Sequence, residues 1–159
     1  MLLEGKVVIV TGASRGIGRA VAIGCAREGA DVVVNDLSGP SAEVVEEIRA
    51  LGRRAVPAQG DVADPETGKR TVARAVDAFG KLNVLVSNAG ICPFHTFLDM
   101  PADVMRRTNE VNYYGTFYVA QAAANQMVAQ GKGGAIGSRD TKSATSRMAA
   151  AHFAIWSWP

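Results

Sequence analysis

The sequence predicts an α/β fold, a doubly wound parallel sheet with helices on both faces. Short β-branched runs alternate along the chain with segments of helical period. The first run opens onto a glycine-spaced turn, Thr11-Gly12-Ala13-Ser14-Arg15-Gly16-Ile17-Gly18. No interdomain linker and no internal repeat interrupts the alternation.

The first strand is residues 6–10, Lys-Val-Val-Ile-Val, the composition of a buried parallel strand. After the turn, Ile17, Val21 and Cys25 recur every fourth residue with Ala20 and Gly24 beside them, which is helical spacing. A strand, a glycine turn and a helix present free backbone N–H groups and a helix dipole to a phosphate. The glycines have separable jobs: Gly12 allows the tight turn, Gly16 admits a pyrophosphate to the backbone, and Gly18 lets the helix pack close to the strand. This combination predicts nucleotide binding.

Asp31–Asp36 reads as the second strand, ending in an acid 18 residues after Gly18. A carboxylate there accepts hydrogen bonds from ribose hydroxyls. Ser41 is the expected cap of a helix reaching about Leu51, with Val45, Ile48 and Leu51 inward. A third strand follows at residues 55–58. A third helix covers Pro65–Phe79, with Val72, Val76 and Phe79 on one face and Gly80 as its stop. Residues 82–86 form the fourth strand. A long helix is expected over residues 102–130, apolar nearly all round, with a fifth strand at 134–136. Crossovers between parallel strands are right-handed.

Composition narrows the function classes. A chain of 159 residues has room for one domain with a real core. It is 48% apolar, its charges are interspersed and its net charge is +2, which argues against a nucleic-acid surface. No apolar run reaches the roughly 18 residues needed to span a membrane, and the first strand leaves no space for a signal peptide. No Gly-Lys pair is followed by Ser or Thr, so the phosphate loop of kinases and NTPases is absent. Two cysteines suggest reduced thiols and a cytoplasmic location, with Cys25 in the core and Cys92 in a loop. His95 and His152 are isolated, so no metal site is expected. His95 fits the mouth of a substrate site, or an exposed position.

The spacing T-G-x-x-x-G-x-G resembles the short-chain dehydrogenase/reductase family. Four further matches follow in order over residues 6–137: Asp36, Asp61-Val62, Asn88-Ala89-Gly90, and Asn112 within Val111-Asn112-Tyr113-Tyr114-Gly115. Residues 91–95 and 98–101 resemble the bacterial and fungal sugar-dehydrogenase branch. The resemblance implies a Rossmann-type sheet of order 3-2-1-4-5 with its ligand in the crevice between strands one and four. It implies a cofactor-binding set of Gly12, Ser14, Arg15, Gly16, Ile17, Gly18, Asp36, Asp61, Val62, Asn88, Ala89 and Gly90, with Asp61 beside the adenine. It also implies an NAD(P)-dependent oxidoreductase of an alcohol or sugar, and a homo-oligomer. Cofactor choice is divided: Asp36 repels a 2′-phosphate and favours NAD, whereas Arg15 pairs with one and favours NADP. The carboxylate sits where the ribose must lie, so NAD is expected, with NADP possible.

In the family, a Ser after the fifth strand and a Tyr-x-x-x-Lys pair carry out proton transfer, with Asn112 matching an active-site asparagine. Ser138 is placed to be the Ser, with the polar Ser143 and Ser146 nearby. The only tyrosines are Tyr113, Tyr114 and Tyr118, and the residues four positions on are Phe117, Tyr118 and Ala122, none of them Lys. The expected division is therefore a dinucleotide-binding domain at 1–137 and a divergent tail at 138–159, the sheet being incomplete on that side. Two origins for the tail stand open. One is a truncated reading frame; the other is a short isoform whose residues 148–158 fold over the sheet edge. The functional alternative is a catalytically inactive nucleotide-binding fragment. Loss of the family's C-terminal half would leave Tyr114, Phe117, Tyr118 and Val119 facing solvent.

Overall fold

The computed structural model describes residues 1–39, 42–138 and 156–158. Its strands are β1 (Val7–Thr11), β2 (Asp31–Asp36), β3 (Ala55–Gln59), β4 (Val84–Ser87), β5 (Gly134–Ser138) and β6 (Trp156–Trp158). They form one sheet of order β3-β2-β1-β4-β5-β6. The first five are parallel, in the expected order 3-2-1-4-5. β6 is added antiparallel to β5, with Ile136 opposite Trp156 and Gly134 opposite Trp158. This edge strand is the one part of residues 139–159 that falls among the described residues; Ser143, Ser146 and His152 lie outside them, as does the Ser41 cap.

Side-chain alternation along β1 divides the core. Val8 and Val10 pack with Ala22, Ile23, Val44, Val45 and Ile48 of the helices on one face. Val7 and Ile9 pack with Val72, Leu82, Leu85, Val119 and Met127 on the other. Strands covered on both faces read as unbroken apolar runs, which is why β1 and β2 are legible from sequence.

The helices are α1 (Gly16–Arg27), α2 (Ala42–Ala50), α3 (Pro65–Phe79), α4 (Ala102–Asn109) and α5 (Thr116–Ala129). α3 has the expected bounds: Asp64 caps its start through Glu66 N–H at 3.0 Å, and Gly80, at φ +76°, ends it. Three expectations change in detail. Ile17 is exposed, because the buried stripe of α1 runs through Gly18, Ala22, Ile23 and Ala26, one position on. Cys25 accordingly packs only half-buried against the core. Leu51 is exposed too: α2 ends at Ala50, and a turn closed by Gly52 at φ +77° swings it outward, leaving Val44 to fill the core.

The single long helix of residues 102–130 is instead two helices joined by a π-helical turn, Glu110–Gly115. Thr116 Oγ1 donates to the Asn112 carbonyl at 2.9 Å, the kind of side-chain intrusion that bends a helix. Gly115 sits tight against Val62, where a Cβ would stand 3.1 Å from Val62 Cβ and nearer still to its methyl. One face of this assembly is buried through Val111, Val119, Ala123 and Met127. Val119 is therefore core, not surface as expected, because it turns toward α3 and the sheet. Tyr114 and Phe117 are exposed as expected, Tyr118 is half-buried, and Tyr113 joins the exposed aromatic face.

Candidate functional site: a crevice at the carboxyl ends of β1 and β4

β1 and β4 are neighbours whose connections leave in opposite directions, so their carboxyl ends frame a crevice. A cavity of about 380 Å³ lies there, bounded by the turn after β1, the ends of β2 and β3, and the Asn88–Ile91 stretch after β4.

Thr11 and Asn88 hold the two sides of the crevice together. Thr11 Oγ1 accepts from the backbone N–H of Asn88 and of Ala89, both at 3.0 Å. Asn88 Nδ2 donates back to the carbonyls of Thr11 at 3.0 Å and Gly12 at 3.2 Å. These bonds draw the backbones so close that a Cβ on Gly12 would stand 2.9 Å from Ala89 Cα. One on Gly18 would collide with the Gly12 carbonyl. Gly12 and Gly16 have φ of +62° and +55°, where glycine is at ease and other residues are strained. Space beside Gly16 is open: a Cβ there would meet nothing within 4 Å.

Helix α1 begins at this opening with no side-chain cap on its first turn and no acidic residue within it. Its leading N–H groups and positive dipole end thus remain available to an anion. At the other end of the cavity, Asp36 closes β2. Its Oδ2 accepts from Ser14 N–H at 3.1 Å, which fixes the carboxylate beside the turn. Ser14 itself turns toward Gly39, its Oγ 3.5 Å from that carbonyl. Arg15, Ile17, Asp61, Val62, Ala89 and Gly90 all stand on the cavity wall with the glycines. The crevice fits a dinucleotide: an open backbone cradle at a helix start, with a carboxylate one strand away.

Asn112 lies on the π-turn, where its amide grips a single residue after β4. Its Nδ2 donates to the Ile91 carbonyl and its Oδ1 accepts from Ile91 N–H, both at 2.8 Å. Ser138 ends β5 and pairs in register with Ser87 at the end of β4, so it shares the carboxyl edge of the sheet. Among the described residues, no tyrosine and no lysine lines the cavity. Phe94, Phe97 and Leu98 on the following stretch are almost fully exposed, and His95 and Cys92 are exposed. Among the described residues, no cluster of three or more His, Cys, Asp or Glu is placed to hold a metal. None of their helices is long and apolar enough to cross a membrane.

Two contributors escape a sequence reading centred on glycines. Thr11 is the first letter of the motif, yet its hydroxyl acts 77 residues away, on Asn88. Arg107 gives no local signal at all. From α4 its Nη2 donates to Asp61 Oδ2 at 2.5 Å, and its Nη1 lies 3.6 Å from Glu110 Oε2. The hydrogen bond to Asp61 holds the Arg107 proton more firmly than usual, outweighing the opposing effect of burial.

Comparison with known proteins agrees with this geometry. The short chain dehydrogenase family model matches residues 6–157, a span that runs on into the tail. An L-rhamnose 1-dehydrogenase (NAD(P)(+)) of Sphingomonas sp. (strain SKA58) is 61% identical over 137 residues, covering 85% of this chain and 54% of that protein. A protein of the same name from Azotobacter vinelandii is 51% identical, over 86% of this chain and 55% of its own length. Among solved structures, a short-chain dehydrogenase/reductase from Mycobacterium marinum superposes with a TM-score of 0.81 at 38% identity, over 86% of this chain and 54% of that one. A Burkholderia cenocepacia short chain dehydrogenase, solved in complex with NADP, gives 0.74 at 43% identity, over 79% and 52%. The chain spans about half the length of the curated relatives it matches. Its motifs, its sheet order and these matches agree: the chain belongs to the short-chain dehydrogenase family.

Proposed function

We propose that the chain supplies the cofactor-binding portion of an NAD(P)-dependent oxidoreductase acting on a sugar hydroxyl. An aldose such as L-rhamnose is the substrate that the relatives' names suggest. The observation that carries this reading is the uncapped start of α1 opening, beside Gly16, into the crevice between β1 and β4. Residues 1–137 act as the dinucleotide-binding domain, with 138–159 as a divergent tail.

In this reading the leading N–H groups of α1, at Gly16 and Ile17, bind the diphosphate and Asp36 accepts from the adenosine ribose. Asp36 favours NAD, because its charge opposes a 2′-phosphate; Arg15, exposed at the helix start, is the group that tolerates NADP. A nicotinamide cofactor held in this crevice would supply hydride exchange with the sugar carbon. Asn112 keeps Ile91, and with it the loop over the site, in place. Ser138 is set at the sheet edge where a hydroxyl would meet the substrate oxygen. The exposed Tyr113, Tyr114 and Phe117 offer a face for another subunit. The free thiols of Cys25 and Cys92 suit the cytoplasm.

A second reading is favoured by one observation: the 159 residues carry no Tyr-x-x-x-Lys to move the proton. In it the chain holds cofactor without chemistry. Titration with NAD and NADP followed by cofactor fluorescence, together with a sugar-oxidation assay, separates the two. Binding with turnover supports the first, and binding without turnover supports the second. Absence of binding to either dinucleotide refutes both.

A further inference from the structure

From residue 91 to residue 110 no residue is buried. Phe94, Phe97 and Leu98 are more than nine-tenths exposed, and α4 turns no residue fully into the core. A segment with so little apolar contact opens at low free energy unless something else holds it. Two things hold this one.

At the base, its ends are tied together. Asn112 Nδ2 donates to the Ile91 carbonyl and Asn112 Oδ1 accepts from Ile91 N–H, so residues 92–109 form an arm with a closed base. That base is fixed to the body, because Val111 is buried and Gly115 lies tight against Val62. Farther out, α4 packs chiefly on the π-helical turn that follows it. Thr96 bonds to Asp99 and Thr108 to the Val104 carbonyl, both within the arm. Among the described residues, one side-chain hydrogen bond crosses from the arm to the sheet layer, from Arg107 Nη2 to Asp61 Oδ2 just after β3. Arg107 and Asp61 also stand on the crevice wall with Val62. An arm that moves outward therefore takes part of the wall with it.

We propose that residues 92–109 are a gate on the crevice, opening as one unit about the junction of α4 and the π-helical turn, with the Arg107–Asp61 pair as its latch. Hinges commonly lie at the ends of such elements. The pair is partly exposed, so it holds the arm weakly enough to release and is open to screening by salt. The gate acts whichever ligand the crevice holds.

The test is native-state hydrogen exchange on the full chain, unmodified and as Arg107→Gln and Arg107→Lys, in dilute buffer and in about 0.5 M salt. Amides 105–109 of α4 should share one opening rate, well above that of β1 and β2. Arg107→Gln should speed them by about three- to tenfold, the worth of one partly exposed charged hydrogen bond, and leave β1 and β2 unchanged. Arg107→Lys, which keeps a cation for Asp61, should restore most of the protection. Added salt should speed these amides in the unmodified protein and do little in Arg107→Gln. Val62→Cys reports on the crevice itself: labelling of that thiol, told from Cys25 and Cys92 by peptide mapping, should quicken in step with the arm when Arg107→Gln is added. Unchanged exchange at 105–109 in a folded Arg107→Gln protein overturns the latch. Equal acceleration at β1 and β2 overturns it as well, since that is general loss of stability. A gradient of exchange along 105–109 overturns the single unit in favour of fraying, and constant labelling at position 62 while the arm opens overturns the gate.

Discussion

Alanine at Gly12 and at Gly16 separates the two tasks of the glycine turn. Both residues have positive φ, +62° and +55°, so each alanine incurs about 1–2 kcal/mol of backbone strain. The surroundings differ. At Gly12 the new methyl would stand 2.9 Å from Ala89 Cα and 3.3 Å from both Ala89 N and Asn88 Nδ2. Those atoms cannot withdraw without breaking the bonds between Thr11 and Asn88. Overpacking of this kind costs about 1–3 kcal/mol more. At Gly16 nothing stands within 4 Å. Gly12→Ala should therefore lose about 2–5 kcal/mol of stability and Gly16→Ala about 1–2 kcal/mol. Urea unfolding with matched slopes measures both. Gly16→Ala should in addition lose dinucleotide affinity by about tenfold or more, because its methyl fills the approach to the backbone. Equal destabilisation by the two changes would refute the close approach of Ala89 to the turn.

Other consequences are measurable. Asp36→Ala removes one charge near a 2′-phosphate of about −1.5 to −2. At about 1 kcal/mol per charge pair in water, NADP affinity should rise about tenfold relative to NAD, as read by titration of both. Asn112→Ala leaves the Ile91 N–H and carbonyl without their partner; about 1 kcal/mol of local stability should be lost, seen as faster hydrogen exchange at Ile91. Asp31 is subject to burial, which raises its pKa, but the Arg54 backbone N–H and guanidinium, with Arg53 beside them, outweigh this and lower it. Its contribution is thus complete above the usual carboxylate value of about 3.9 and is lost as pH falls through the lowered folded value. Asp31→Asn should flatten the acid limb of urea midpoints measured against pH, and an unchanged limb would contradict the pairing with Arg54 at 2.6 Å.

What the sequence shows and what it hides follow from range. β1, β2 and α3 are legible because their causes are local: unbroken β-branched runs, an apolar stripe at helical spacing and a Gly80 stop. Likewise, the sites of Gly12, Gly16 and Asp36 follow from spacing along a strand-turn-helix unit. The π-turn at Glu110–Gly115 is not legible, since it depends on Gly115 meeting Val62 across the fold. Arg107 is hidden for the same reason, its partner Asp61 standing 46 positions earlier in the sequence, just after β3. Helical period puts the α1 stripe one position off, because Gly18 offers no apolar side chain yet packs hard against the Gly12 carbonyl. Small residues carry little hydrophobic signal even where they decide the packing.

Amide chemical shifts of the isotope-labelled full chain, followed during titration with NAD, address the binding site directly. Saturable changes should concentrate at Gly12–Gly18, at Asp36, at Asp61-Val62 and at Asn88–Gly90, and in Gly16→Ala should need about tenfold more NAD, or greater, to saturate. Saturable binding with those amides unmoved, or shifts gathered on the α3–α5 face, would contradict the account.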